Sequence, residues 1–315
     1  MTIQRDSVVI IGSGMMGSGI AARSAAAGCR TYLFDTTYQR AEQGVITAFR
    51  HINQLYEHQI IGANSVQEAH DLLLPCADRE SALSRARIVI EAITENLEAK
   101  QKLFEELDAA LPPDIPIMSN SSGLQITKIA VRCVHPQRTM IAHFWFPAHL
   151  VPLVELVVGD NTNLRFVEAM KKELLSWGKA PVIVKRDLPG QLANRILQAV
   201  IREAVNIVQI GLASAEDVDT AIKMGMGIRL PAWGPLEHID AVGLDLGASV
   251  QDSVLPEISD AKESAPVLRQ LVDQGHLGVK TGSGFYDWAR KDFDQLQKLR
   301  DDFIIMAVQF LQQRS

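Results

Sequence analysis

A histidine and a glutamate in neighbouring apolar segments are the first residues of this sequence with chemistry to offer. His143 closes the run 139–143, and Glu155 stands among Leu153, Val154, Leu156 and Val157. A histidine that takes a proton from an alcohol needs its second ring nitrogen held and its imidazolium stabilised, and a buried carboxylate does both. A carboxylate in so apolar a segment requires a partner if it is buried. Taken alone, His143 reads more plainly as a structural histidine. His149, in the turn between the two segments, is the rival base, or else a surface or substrate-contacting residue.

A second chemistry lies near the start of the chain. Val8-Val9-Ile10-Ile11 runs into Gly12-Ser13-Gly14-Met15-Met16-Gly17, and an Ala-rich helical stretch follows at 21–27. This is a G-x-G-x-x-G loop in the strand–turn–helix context that binds a dinucleotide. Gly12 allows the tight turn, Gly14 lets the backbone approach a pyrophosphate, and Gly17 lets the helix pack closely on the strand. Met15 and Met16 complete the loop and count with the cofactor contacts. The next strand, 30–34, ends in Asp35, whose carboxylate is placed to accept from the adenosine ribose hydroxyls. No arginine follows it at once, so NAD is expected over NADP.

Three other segments carry polar groups worth positioning. Ser119-Asn120-Ser121-Ser122-Gly123-Leu124 directly follows a strand, where a polar turn can reach the nicotinamide end of the cofactor or can simply cap a helix starting near Gln125. Pro189-Gly190-Gln191-Leu192-Ala193-Asn194-Arg195 puts Asn194 in the first turns of a helix at a domain junction, as a cleft residue or a solvated one. Gly278-Val279-Lys280-Thr281-Gly282-Ser283-Gly284-Phe285-Tyr286 is a basic glycine-rich turn that either closes over a cofactor or is only a loop.

The elements that must hold these groups follow from periodicity. Strands are expected at 7–12, 31–35, 88–91, 115–119, 139–143, 153–158 and 181–184, with helices at 38–59, 95–110 and 164–177. Such alternation predicts a mostly parallel, doubly wound sheet. Beyond Pro189-Gly190 the strand signal stops, and helices are expected at 191–211, 215–223 and 292–313. The fold expected is therefore α/β: an N-terminal Rossmann-type domain over 1–186 and an all-helical domain over 187–315. The helical part is rich enough in apolar residues to bury surface in a homodimer.

Composition narrows the class. At 47% hydrophobic and 22% charged residues the chain reads as a globular enzyme, and a net charge of −6 provides no field for nucleic acid or an anionic membrane. No apolar run spans a bilayer and the N-terminus lacks a signal-peptide core. Three cysteines without a C-x-x-C pair fit a reduced, cytoplasmic protein, and the eight histidines lack metal-ligand spacing, so no metal is expected.

With these segments in view, the chain closely resembles the L-3-hydroxyacyl-CoA dehydrogenase family from near one end to the other. The Ser-Asn-Ser-Ser, His-x-x-x-Pro…Leu-Val-Glu, Pro-Gly-x-x-x-Asn-Arg and Lys-Thr-Gly-x-Gly-Phe-Tyr blocks stand in the family's order. The resemblance implies that His143 is the general base and Glu155 its orienting partner, and that Ser122 and Asn194 hold the substrate oxygen near the nicotinamide. It also implies that Asp35, Glu95, Lys100 and Lys280 contact NAD. Three departures stand out. Phe146 occupies a position that is usually Asn in the family. The arm 38–78 contains no lysine, although a CoA 3′-phosphate and pyrophosphate call for cations there. The segment 227–235, with Arg229, is longer than in typical CoA-using members and resembles the branch of L-gulonate 3-dehydrogenase (lambda-crystallin) and L-carnitine dehydrogenase. A guanidinium suits bidentate carboxylate recognition.

The expectation is an NAD-dependent dehydrogenase that interconverts a 3-hydroxyl and a 3-oxo group on a small molecule, with a free 3-hydroxy acid favoured and Arg229 on its carboxylate. The alternatives are a 3-hydroxyacyl-CoA dehydrogenase of fatty acid oxidation and a crystallin-like protein that binds NADH without turnover.

Overall fold

The computed structural model describes residues 5–312; Met1 to Gln4, and the Gln313 that closes the expected terminal helix, lie outside the described residues. The chain forms two units, Met1–Leu192 with Ile304–Ser315, and Ala193–Phe303.

The first unit is built on an eight-stranded sheet in the order β3-β2-β1-β4-β5-β6-β7-β8. Its strands are β1 (Ser7–Ile11), β2 (Arg30–Phe34), β3 (Leu73–Cys76), β4 (Ala86–Glu91), β5 (Ile117–Ser119), β6 (Thr139–Phe144), β7 (Leu153–Val157) and β8 (Ala180–Val184). Pairing is parallel from β3 across to β6, β7 runs antiparallel to β6, and β8 runs with β7. The helices are α1 (Met15–Ala26), α2 (Tyr38–Glu57), α3 (Ala63–Leu72), α4 (Arg79–Ser84), α5 (Leu97–Ala110), α6 (Ile126–Ile129) and α7 (Leu164–Ser176). The doubly wound architecture expected from the sequence is present. The strand at 73–76 was not anticipated: it is short, contains Pro75 and forms an edge, where a residue without an N–H is tolerated.

Alternation along β1 divides the core. Val8 and Ile10 pack with Ile20, Leu33, Ile52 and Phe166 on one face, whereas Val9 and Ile11 pack with Leu103, Phe104 and Leu107 on the other. Both faces are covered, which is why the strand reads as a continuous apolar run. Each fully buried side chain of this kind stabilises by about 1.5–3 kcal/mol. Gly12 has φ +104°, and a Cβ there would lie 2.5 Å from the Ala92 carbonyl oxygen, so the loop after β4 packs directly on the glycine turn.

The second unit contains α8 (Ala193–Gln209), α9 (Ala215–Ala221), α10 (Pro235–Val242), α11 (Leu244–Val254), α12 (Pro266–Asp273) and most of α13 (Phe293–Gln312). A π-helical segment, Ile222–Gly227, continues α9. Val218 is the buried apolar side chain among this unit's described residues.

The division differs from the boundary at 186/187 expected from the sequence. Residues up to Leu192 stay with the first unit because Gln191 Nε2 donates to Ser121 O at 2.9 Å and the Leu192 N–H donates to Glu155 Oε1 at 2.9 Å. Residues from Ile304 return to it because Ile304 and Ile305 pack with Leu55 and Leu150. No helix among the described residues is long and apolar enough to cross a membrane.

Candidate active site

Antiparallel pairing of β6 and β7 sets His143 directly opposite Glu155. His143 Nδ1 lies 2.8 Å from Glu155 Oε2, and the Glu155 side chain is 0% exposed. The same oxygen accepts from Trp145 Nε1 at 3.0 Å, while Oε1 accepts from the Leu192 N–H. A carboxylate is an acceptor only, so the contact makes Nδ1 the protonated nitrogen and leaves Nε2 as the basic one. The apolar segment around Glu155 thus carries a buried charge that is fully supplied with donors. Trp145 and Leu192 went unnoticed in the sequence, where neither residue type signals a partner for a carboxylate.

His149 departs from its expected place at the surface or against substrate. It is buried, its Nε2 lies 2.8 Å from Gln54 Oε1, and its ring stacks on His51 at 3.7 Å between centroids. Two residues of α2 therefore hold the ring.

The turn 119–124 follows β5 at the carboxyl edge of the sheet. Glu95 gathers it: Oε1 accepts from Ser121 Oγ at 2.5 Å, from the Gly123 N–H at 2.9 Å and from the Ser122 N–H at 3.2 Å. Burial pushes the Glu95 carboxyl up, but these bonds and the Lys100 ammonium hold it below the usual glutamate range. Asn120 ties the turn to β6 by accepting from the Phe144 N–H at 2.9 Å. The serines do not cap α6, whose first turn has Gln125 at its cap and no side-chain bond. Ser122 is exposed. Lys100, expected as a cofactor contact, is only 1% exposed and lies behind Glu95, with Nζ 2.5 Å from Glu91 Oε1 and 3.5 Å from Glu95 Oε2. Glu91 was legible in principle, as one carboxylate closing the apolar run Ile88-Val89-Ile90.

The glycine loop fits a dinucleotide. No side chain caps the first turn of α1, so its N–H groups and helix dipole face outward at Gly14. A Cβ built on Gly14 meets nothing within 4 Å, and Met15 is exposed. Asp35 closes this end. Its Oδ2 accepts from the Ser13 N–H at 2.8 Å and Ser13 Oγ at 2.7 Å, and its Oδ1 from the Thr36 N–H at 2.7 Å. Arg40, five positions on in sequence, places Nε 3.3 Å from Oδ1, an arginine the reading for NAD had not included. Phe146 is 42% exposed.

The remaining candidates belong to the second unit. Asn194, in the first turn of α8, is half-buried, with Oδ1 3.4 Å from Gln198 Nε2. Arg229 is exposed just past the π-helical segment, and its Nε donates to Gly225 O at 3.2 Å. Lys280 is exposed in the tight turn between the bridged residues Gly278 and Ser283.

Residues 7–188 match the family described as 3-hydroxyacyl-CoA dehydrogenase, NAD binding domain, and residues 190–288 match 3-hydroxyacyl-CoA dehydrogenase, C-terminal domain. The chain belongs to the 3-hydroxyacyl-CoA dehydrogenase family. It is an NAD-dependent oxidoreductase of the kind that acts on a CH–OH group. Among relatives of this family member, 5-formyl-3-hydroxy-2-methylpyridine 4-carboxylate 5-dehydrogenase of Mesorhizobium japonicum is 29% identical over 98% of this chain and 99% of its own length. The probable 3-hydroxybutyryl-CoA dehydrogenase of Bacillus subtilis is 35% identical over 90% of this chain and 98% of its own. A crystal structure of 5-formyl-3-hydroxy-2-methylpyridine 4-carboxylic acid 5-dehydrogenase, described as an NAD+-dependent dismutase, superposes with a TM-score of 0.89 at 29% identity, covering 98% of each chain.

Proposed function

We propose that this family member oxidises the 3-hydroxyl of a free 3-hydroxy acid, reversibly, with His143 as general base. The 2.8 Å contact between His143 Nδ1 and Glu155 Oε2 carries this reading. NAD, when bound, supplies the hydride acceptor or donor. His143 Nε2 takes the hydroxyl proton in oxidation and returns it in reduction. Glu155 keeps Nδ1 protonated and stabilises the imidazolium that forms. Ser122 hydrogen-bonds the substrate oxygen, and a substrate contact is the role that the family resemblance implies for Asn194. The uncapped turn from Gly12 through Gly14, Met15, Met16 and Gly17 takes the pyrophosphate, Asp35 the adenosine ribose, and Glu95 and Lys280 further cofactor groups.

The substrate class rests on charge. A CoA thioester brings phosphates, and the arm 38–78 has no lysine to meet them; of its two arginines, Arg40 is paired with Asp35 and Arg50 stands alone in sequence. Arg229 offers a guanidinium beside a π-helical segment, a distortion frequent at functional sites. A relative that matches this chain along nearly its whole length is named for a small pyridine carboxylate, not a thioester. The competing reading, an acyl-CoA substrate, is favoured by relatives such as the Bacillus subtilis protein. A dehydrogenase screen of 3-hydroxyacyl-CoAs against sugar acids, carnitine and short 3-hydroxy acids separates them. With a free acid, Arg229→Met is expected to raise KM by about 10–150-fold, the loss of one charge-assisted pair, without changing NADH affinity. Efficient turnover of acetoacetyl-CoA, indifferent to Arg229→Met, overturns the free-acid reading.

The working form proposed is a homodimer through the helical unit. Ile196, Ile201, Leu236, Leu244, Leu246 and Val250 are all exposed there, and a domain with so few buried apolar side chains gains its core from a second copy. The free thiols of Cys29, Cys76 and Cys133 support a reducing compartment such as the cytoplasm.

A further inference from the structure

Glu91 is a fully buried carboxylate to which the proposed reaction gives no task. It ends β4, and its two oxygens organise both loops at the carboxyl edge of the sheet. Oε1 accepts from Lys100 Nζ at 2.5 Å and from the Ile93 N–H at 2.7 Å, and Oε2 accepts from Ser119 Oγ at 2.6 Å. Ser119 Oγ in turn accepts from the Ser121 N–H at 3.2 Å, and Ser121 Oγ donates to Glu95 Oε1 at 2.5 Å. Glu95 Oε2 returns to Lys100 Nζ at 3.5 Å, which closes a ring of five residues.

The ring contains two carboxylates and one ammonium. Lys100 is 1% exposed and Glu91 0%, so water and salt do little to screen them, whereas Glu95 is 40% exposed and faces outward. One negative charge is therefore left over, and it is presented at Glu95 beneath the backbone of Ser122. A single buried carboxylate would have neutralised Lys100; the second leaves an excess.

We propose that Glu91 is a positioning residue which, by engaging Lys100, leaves Glu95 an unneutralised charge that favours the oxidised, positively charged nicotinamide over the reduced, neutral one. This rests on the reading above only in setting the nicotinamide end of the cofactor beside the turn at Ser122. Oxidised and reduced cofactor differ only at the nicotinamide ring, so a change in the ratio of their affinities between variants of unaltered shape reports a change of charge at that end.

Charge counting makes the test sharp. The ring carries net −1 in the parent protein, 0 in Glu91→Gln, 0 in Glu95→Gln, and −1 again in the double variant Glu91→Gln/Lys100→Met. Replacing both members of a buried ion pair is tolerated far better than removing one. NADH affinity is measured by fluorescence titration and NAD+ affinity by competition with NADH, with thermal unfolding as the control for folding. Glu91→Gln is expected to weaken NAD+ about 5–20-fold relative to NADH, the loss of one unit charge acting across a partly screened distance. Glu95→Gln is expected to do the same, and the double variant to restore the parent ratio. If Glu91→Gln does not fold, Glu95→Gln and the double variant carry the comparison. An unchanged ratio in Glu95→Gln, parallel losses of NAD+ and NADH, or a double variant that fails to restore the ratio overturns the proposal. No substrate enters the measurement, so a failure to turn over any 3-hydroxy acid removes the functional reading and leaves this result standing.

Discussion

Replacing Glu155 with Gln tests the acid–base pair at its buried end. The carboxylate is 0% exposed and accepts from three donors, His143 Nδ1, Trp145 Nε1 and the Leu192 N–H. An amide has one oxygen to offer. With that oxygen toward His143 and Trp145, the new NH2 group confronts the Leu192 N–H; with the amide reversed, NH2 confronts the ring and forces the opposite tautomer. Either orientation leaves a buried donor without an acceptor, which costs about 1–3 kcal/mol. For a domain of this size that lowers Tm by roughly 2–12 °C. The larger effect is catalytic. At an effective dielectric near 20, a carboxylate in contact with the imidazolium stabilises it by about 4–6 kcal/mol, part of which hydration of the exposed edge replaces. Turnover is therefore expected to fall about 10²–10⁴-fold. Steady-state NADH formation and NADH titration are the assays, because the adenosine and phosphate contacts lie elsewhere and binding should hold. A folded Glu155→Gln protein with parental turnover would refute the reasoning, as would a loss explained entirely by weaker NADH binding.

Cofactor choice is expected to rest on Asp35: NADPH should bind more weakly than NADH, and Asp35→Ser, which frees Arg40 for a 2′-phosphate, should narrow or invert the gap in paired titrations. Equal affinity of the parent protein for both cofactors counts against this. Phe146→Asn places an amide where the family resemblance leads one to expect it and is expected to tighten NADH by about 0.5–1.5 kcal/mol, roughly 2–12-fold, read by the same titration; an unfolded or dead variant would mean that the ring packs into the substrate pocket. Asp108 carries a pH signature. Burial pushes its carboxyl up, but Arg138 and the backbone N–H groups of His135 and Val134 outweigh it and hold the carboxyl below the usual aspartate range. Its stabilisation is thus complete above the ordinary aspartate value of about 3.9 and is lost as pH falls through the lower folded value. Asp108→Asn leaves the fully buried Arg138 without its counter-ion, so thermal unfolding should show a loss of about 3–5 kcal/mol at neutral pH and a flatter dependence on acid.

The sequence by itself determined seven of the strands, the longer helices and the chemistry local to them, whereas the edge strand at 73–76 and the shorter helices, such as 63–72 and 235–242, carried too weak a periodicity to be read. Glycine spacing after a β-branched run identified the first strand, turn and helix, because tight turns and close backbone approach restrict residue type at single positions. Seven of the strands were legible as short, mostly apolar runs, continuous in strands such as β1 that are covered on both faces. Glu155 announced a buried partner because an ionised group cannot sit alone among Val154 and Leu156. What only the tertiary structure decided was which groups share one carboxylate. Trp145 and the Leu192 N–H on Glu155, Ser13 on Asp35, and the ring through Glu91 and Lys100 join groups from different elements, as Gln54 and His51 do on the ring of His149. Periodicity fixes the face on which a residue lies, but not its neighbour on the next strand or helix. Lys100 shows the difference most clearly: its type and position suggested a ligand contact, and its burial behind Glu95 makes it a counter-charge, because the packing of α5 on β4 brings a second carboxylate within reach of the same ammonium.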